Sequence, residues 1–82
     1  MKTDFITFRS ITPAQHAQRV LHQAGIDALL QRTPRQMEQQ GCGYCLRIRQ
    51  EDRLAAVQVL QKANLPFRKL YTFQNGWQEV PW

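Results

Sequence analysis

The sequence predicts an α+β domain of ferredoxin-like topology, βαββαβ, with a four-stranded antiparallel sheet and two helices on one face. Short stretches alternate apolar and polar residues with the period of a strand, and two longer stretches repeat apolar residues at helical spacing. They occur in the order strand, helix, strand, strand, helix, strand, which is the split βαβ pattern. Right-handed crossovers then put both helices on the same side of the sheet, with the first and third strands central.

In residues 5–9, "FITFR", Ile6 and Phe8 alternate with Thr7 and Arg9, as in a half-buried strand. Thr12 has the hydroxyl of a helix cap, Pro13 suits a first helical position, and Gln15 completes a capping box. Ala14, Ala17, Val20, Leu21 and Ala24 form the apolar stripe of this first helix, with His16, Arg19, His22 and Gln23 outward. Gly25 permits a left-handed stop. A second, less regular strand covers 26–32 and ends at Thr33-Pro34, where proline removes a ladder donor. Residues 35–40 read as a short helical turn or a loop.

From Tyr44 the third strand sets Leu46 and Ile48 against Cys45, Arg47 and Arg49. Glu51 and Asp52 bring negative charge to the first turn of a second helix, whose stripe is Leu54, Ala56, Val57, Leu60 and Ala63, with Asn64 as its stop. Residues 66–73, "PFRKLYTF", supply the fourth strand. The domain is assigned to residues 1–74, and 75–82 form a tail whose Trp77 and Trp82 pack on the domain or on a partner. In this arrangement Ile6, Phe8, Leu46, Ile48 and Leu70 face the helices. Thr7, Arg9, Cys45, Arg47, Arg49, Lys69 and Tyr71 face the other way.

At 82 residues with 43% hydrophobic content, the chain has room for one modest core. No apolar run approaches the roughly 20 residues needed to cross a bilayer, and the N-terminus lacks the pattern of a secretory signal, so the expected location is the cytoplasm with no membrane partner. Eleven Lys and Arg against six Asp and Glu give a net charge of +5, which favours anionic partners. In a reducing compartment, two cysteines three positions apart read as reactive or metal-binding rather than as a permanent staple. Two thiols do not complete a tetrahedral zinc shell, so no metal site is assigned.

Cys42 lies between Gly41 and Gly43, which lack side chains that would crowd the sulfur. Arg35 and Arg47 flank it in sequence, and a guanidinium near a thiol favours the nucleophilic thiolate. The same residues also describe an ordinary glycine turn with a small cysteine in it. Cys45 completes C-x-x-C and is a candidate resolving thiol, provided the alpha carbons come within about 7 Å. Residues three apart in a straight strand lie about 10 Å apart, so that pairing requires a bend at Gly43.

"FITFRS", "AGI", "TPR", "GCGYCLR" and "YTF", in this order over residues 5–73, resemble the selenium/sulfur carrier protein-like family of small prokaryotic domains. The most specific marks are Thr33-Pro34-Arg35 followed within a short loop by Gly41-Cys42-Gly43. The resemblance implies that Cys42 holds the chalcogen as a persulfide or selenopersulfide and that Arg35 steadies the anion. The partners it implies are sulfur or selenium donor and acceptor proteins. Such a chain is a carrier or accessory protein rather than a turnover enzyme. No lysine is placed by a motif for a pyridoxal Schiff base, so no cofactor is expected.

Two readings of other classes compete. Thr7, Arg9, Arg47, Arg49, Lys69 and Tyr71 would make a basic sheet face with one aromatic, on which single-stranded nucleic acid could lie, or which could serve as a homodimer surface under the tail. The third reading is a protein-interaction module with no chemistry of its own.

Overall fold

The structure, a computed structural model, describes residues 2–34 and 43–81. Its elements are β1 (Thr3–Phe8), α1 (Ile11–Gln23), β2 (Leu29–Arg32), β3 (Tyr44–Arg49), a 3₁₀ turn (Gln50–Asp52), α2 (Arg53–Lys62), β4 (Leu70–Phe73) and β5 (Trp77–Glu79). The sheet runs β2-β3-β1-β4-β5, with every neighbouring pair antiparallel. Its first four positions are the ferredoxin-like order. β1 and β3 lie inside the sheet, as the crossover argument required. The sheet has five strands rather than four, because residues 77–79 return alongside β4 through a turn with left-handed Asn75 (φ 60°) and Gly76 (φ 121°). That Asn-Gly pair is a hairpin signal in the sequence.

One core lies between the sheet and both helices. Ile6, Phe8, Leu46, Ile48 and Leu70 from the strands meet Ala14, Ala17 and Leu21 of α1 and Ala56, Val57 and Leu60 of α2. Each fully buried Leu, Ile or Phe contributes about 1.5–3 kcal/mol by leaving water. Leu54 and Ala63 do not join them: Leu54 is 69% exposed and Ala63 is exposed. α2 starts only at Arg53, after the 3₁₀ turn, and buries Ala56, Val57 and Leu60 fully, with Val59 packed partly against the core.

The helix ends follow backbone chemistry. In α1, Ile26 N–H donates to the Leu21 carbonyl (2.9 Å) and Gly25 N–H to that of His22 (3.0 Å), with Gly25 at φ 81°. In α2, Leu65 N–H donates to Leu60 (2.9 Å) and Asn64 N–H to Gln61 (3.1 Å), with Asn64 at φ 55°. Both are Schellman closures, and both stops fall where expected. The start of α1 differs. Ser10, in extended conformation and with no side-chain cap bond, precedes a helix that begins at Ile11, so Thr12 is not the cap. Pro13 falls third in the helix, still among the positions whose N–H has no intrahelical acceptor.

β2 begins at Leu29, three residues later than the sequence suggested. The Ala28 carbonyl accepts from Gln18 Nε2 (2.9 Å) and lies 3.0 Å from His22 Nε2, which ties this stretch to α1 instead of to the ladder. β4 is likewise shorter than predicted. Arg68 N–H donates to the Thr7 carbonyl (2.8 Å) while Thr7 N–H donates to that of Lys69 (2.9 Å), so two residues oppose one as in a β-bulge. Thr7 Oγ1 completes the knot by accepting from Lys69 N–H (3.0 Å).

The outer face is not an open platform. Phe5 and Cys45 are buried there with Tyr71 and Trp77 packed against them. The Trp77 ring meets Phe5 edge-on, with centroids 4.6 Å apart at 74°, and meets Phe73 at 4.7 Å. Thr7, expected on an exposed face, is 1% exposed. β1 is therefore covered on both sides.

Asp4, fully buried at the start of β1, accepts from the Nε and Nη2 atoms of Arg53, which joins the first strand to the first turn of α2. This hydrogen bond to Asp4 holds the Arg53 guanidinium above the ordinary arginine range. As far as the guanidinium's own proton is concerned, the contribution is present below the unfolded arginine value and is lost as pH rises through the folded one.

Candidate functional site

β2 and β3 form a hairpin whose last ladder pair is Arg32 with Tyr44. One step further, Thr33 N–H donates to the Gly43 carbonyl at 3.0 Å and closes the neck from which residues 34–42 emerge. Thr33 and Gly43 are buried and Pro34 is half-buried. The Thr33 Oγ1 atom is inaccessible and has no hydrogen-bond partner among the described residues. Arg35, Gly41 and Cys42, the centre of the sequence-based site, lie outside the described residues, as does the expected turn or loop over 35–40. Trp82 does also.

The remaining candidates separate. Cys45 is the second residue of β3, fully buried on the outer face, where it pairs in register with Thr7 and Gln31 and clusters with Phe5. Arg47 is exposed and pairs in register with Phe5 and Leu29. At the usual strand rise it lies about 13 Å along β3 from Gly43. Its neighbourhood is a second cleft, of about 650 Å³, that also includes His22 and Asp27. Arg47 thus serves the middle and far end of the sheet rather than the neck.

Four cations that the sequence motifs did not gather do lie at the neck end. The antiparallel register brings together the last residues of β1 and β2, the first of β3 and the approach to β4. Arg32 ends β2 with its guanidinium carbon 5.8 Å from the Tyr44 ring centroid. Arg9 follows β1, and the bulge presents Arg68 and Lys69 beside it. Arg9, Arg68 and Lys69 rim a cleft of about 530 Å³ floored by Phe8, Pro13 and Phe67. The only described acid at this end is Glu79, 3.4 Å from Lys69. The signal was in the sequence as basic residues at consecutive strand ends, in "FRS", "LLQR" and "PFRK", but it becomes a cluster only once the strand order is known.

The other described acids gather at the opposite end. Asp4 holds Arg53, and Arg49 lies 3.7 Å from Asp27 and 3.6 Å from Glu51. Among the described residues, no three His, Cys, Asp or Glu side chains come together as metal ligands would, and no helix is long and apolar enough to cross a membrane. His16, on the exposed side of α1, stands apart from the neck.

No curated protein and no solved structure matches this chain. The family described as "Putative Se/S carrier protein-like" matches residues 4–72, from the buried Asp4 to β4 and through the hairpin neck, and the chain belongs to that family.

Proposed function

We propose that this protein carries sulfur or selenium on Cys42, moving the atom between a donor and an acceptor protein. Membership of the Se/S carrier-like family is the observation that supports the reading most directly. The Cys42 thiolate attacks the outer sulfur of a donor persulfide. A sulfur–sulfur bond forms at Cys42 as the donor's bond breaks, and the donor leaves as a thiolate. Delivery reverses the roles: an acceptor thiolate takes the outer sulfur and Cys42 leaves as thiolate. Each step is an exchange with no external oxidant, and selenium follows the same course as a selenopersulfide.

Arg35 is the anion-stabilising group in this proposal, because both the thiolate and the persulfide carry negative charge at neutral pH. The cations at the neck end add a positive field from the described part of the chain. Thr33 and Gly43 are tied to each other by their hydrogen bond, and Gly43 directly follows Cys42 in sequence. In this proposal Cys45, fully buried on the outer face, is not the accepting thiol; a resolving role for it would need the outer-face cluster to open.

Intact mass spectrometry after incubation with glutathione persulfide tests the assignment. The wild type and Cys45→Ser should gain the mass of one sulfur atom, reversibly with dithiothreitol. Cys42→Ser should gain none, and uptake by that variant would refute the role of Cys42.

A further inference from the structure

The cleft at the end of β1 combines an apolar floor with a basic rim, and it opens at the same end of the sheet as the hairpin neck. Phe8 is 1% exposed and Phe67 is half-buried, so the floor offers contact area but no free aromatic plane. Arg9 is exposed with no acidic neighbour among the described residues, and Lys69 meets Glu79 only as an exposed pair at 3.4 Å, the kind that exchanges readily for another carboxylate. The remaining described acids are held at the far end, so among the described residues cations outnumber Glu79 on this surface.

We infer that this cleft docks an acidic segment of a partner protein, one apolar side chain entering between Pro13 and Phe67 while flanking carboxylates meet Arg9 and Lys69. The inference rests on the carrier reading only in identifying that partner as the protein that supplies or receives the chalcogen. Complementary charge is what selects a protein segment rich in Asp and Glu. A nucleic-acid strand is also anionic, but its bases need exposed rings to stack on; the rings lining the cleft are the buried Phe8 and the half-buried Phe67, and the exposed Phe73 lies beside Thr3 at the other end of β1. Docking here holds the partner at the neck end of the sheet, where Gly43 directly follows Cys42 in sequence.

NMR titration of the ¹⁵N-labelled protein tests this with two probes: a synthetic peptide of alternating Asp and Glu around a single phenylalanine, and an oligothymidylate. The peptide should give saturable shifts at Arg9, Arg68 and Lys69 that weaken as salt is raised. The variant Arg9→Glu/Lys69→Glu should bind it at least about tenfold less tightly, while Arg47→Glu should bind as wild type. If the double reversal misfolds, Arg9→Ser and Lys69→Ser take its place, each expected to weaken binding by about twofold or more. Absent or scattered shifts, equal binding by the cleft variants, or tighter binding of the oligothymidylate would overturn the inference. Cys42→Ser should bind the peptide normally. Peptide binding without sulfur uptake removes the carrier reading alone, and uptake without peptide binding removes the docking surface alone.

Discussion

The two ends of the sheet use their charges differently. At the end where β1 begins, Arg53 is bound to a fully buried carboxylate, Arg49 lies between two acids, and Trp77 closes the outer face over Phe5. At the end where β1 finishes, Arg9, Arg32, Arg68 and Lys69 stand around a hairpin neck and a cleft with Glu79 as the only described acid. One end invests its ion pairs in holding elements together. The other gathers cations near one another, an arrangement whose like-charge repulsion costs stability and whose field attracts anions. The Thr33–Gly43 neck, with Gly43 directly following Cys42 in sequence, belongs to the second end.

Substitutions can break this contrast. Arg53→Ala should have the largest effect, about 3–5 kcal/mol of stability, because the buried Asp4 carboxyl loses its hydrogen-bonded partner. Chemical denaturation measures it, and a loss under about 1 kcal/mol would mean that the pair is not a structural tie. Trp77→Ala should cost about 2 kcal/mol through lost contact with Phe5 and Phe73. In a Cys42→Ser background the same change should accelerate maleimide labelling of Cys45; an unchanged rate would show that Trp77 does not shield that thiol.

Smaller effects sharpen the comparison at the other end. Arg49→Ser should cost no more than about 0.5 kcal/mol, since its partners are exposed and screened. Arg9→Ser should be neutral or stabilising by up to about 0.5 kcal/mol at low salt, with the gain vanishing at high salt as like-charge repulsion is screened. Thermal melts at two salt concentrations read this directly. If Arg9→Ser destabilised the fold as Arg53→Ala does, the two ends would not differ in the way proposed.

Much of the architecture was legible because period and punctuation are local properties. The Leu46 and Ile48 alternation marked β3 correctly, and the stops at Gly25 and Asn64 followed from their tolerance of left-handed backbone. Errors came where side chains far apart in sequence decide. Thr7 truncated β4 by bonding Lys69, Gln18 delayed β2 by bonding the Ala28 carbonyl, and Leu54 fell off the buried stripe because α2 starts late. The site divides the same way. The glycines around Cys42 are a sequence observation, whereas the distance of Arg47 from the neck and the gathering of Arg9, Arg32, Arg68 and Lys69 depend on strand register.

By itself the sequence determined the element order, the βαββαβ class, the family marks and the thiol between glycines, since these depend on residues a few positions apart. Only the tertiary structure decided that a fifth strand exists, that Cys45 is buried in an outer-face cluster with Phe5, and that most described acids and the strand-end cations collect at opposite ends. Those outcomes depend on which strands become neighbours, and neighbours in an antiparallel sheet can come from chain positions more than sixty residues apart.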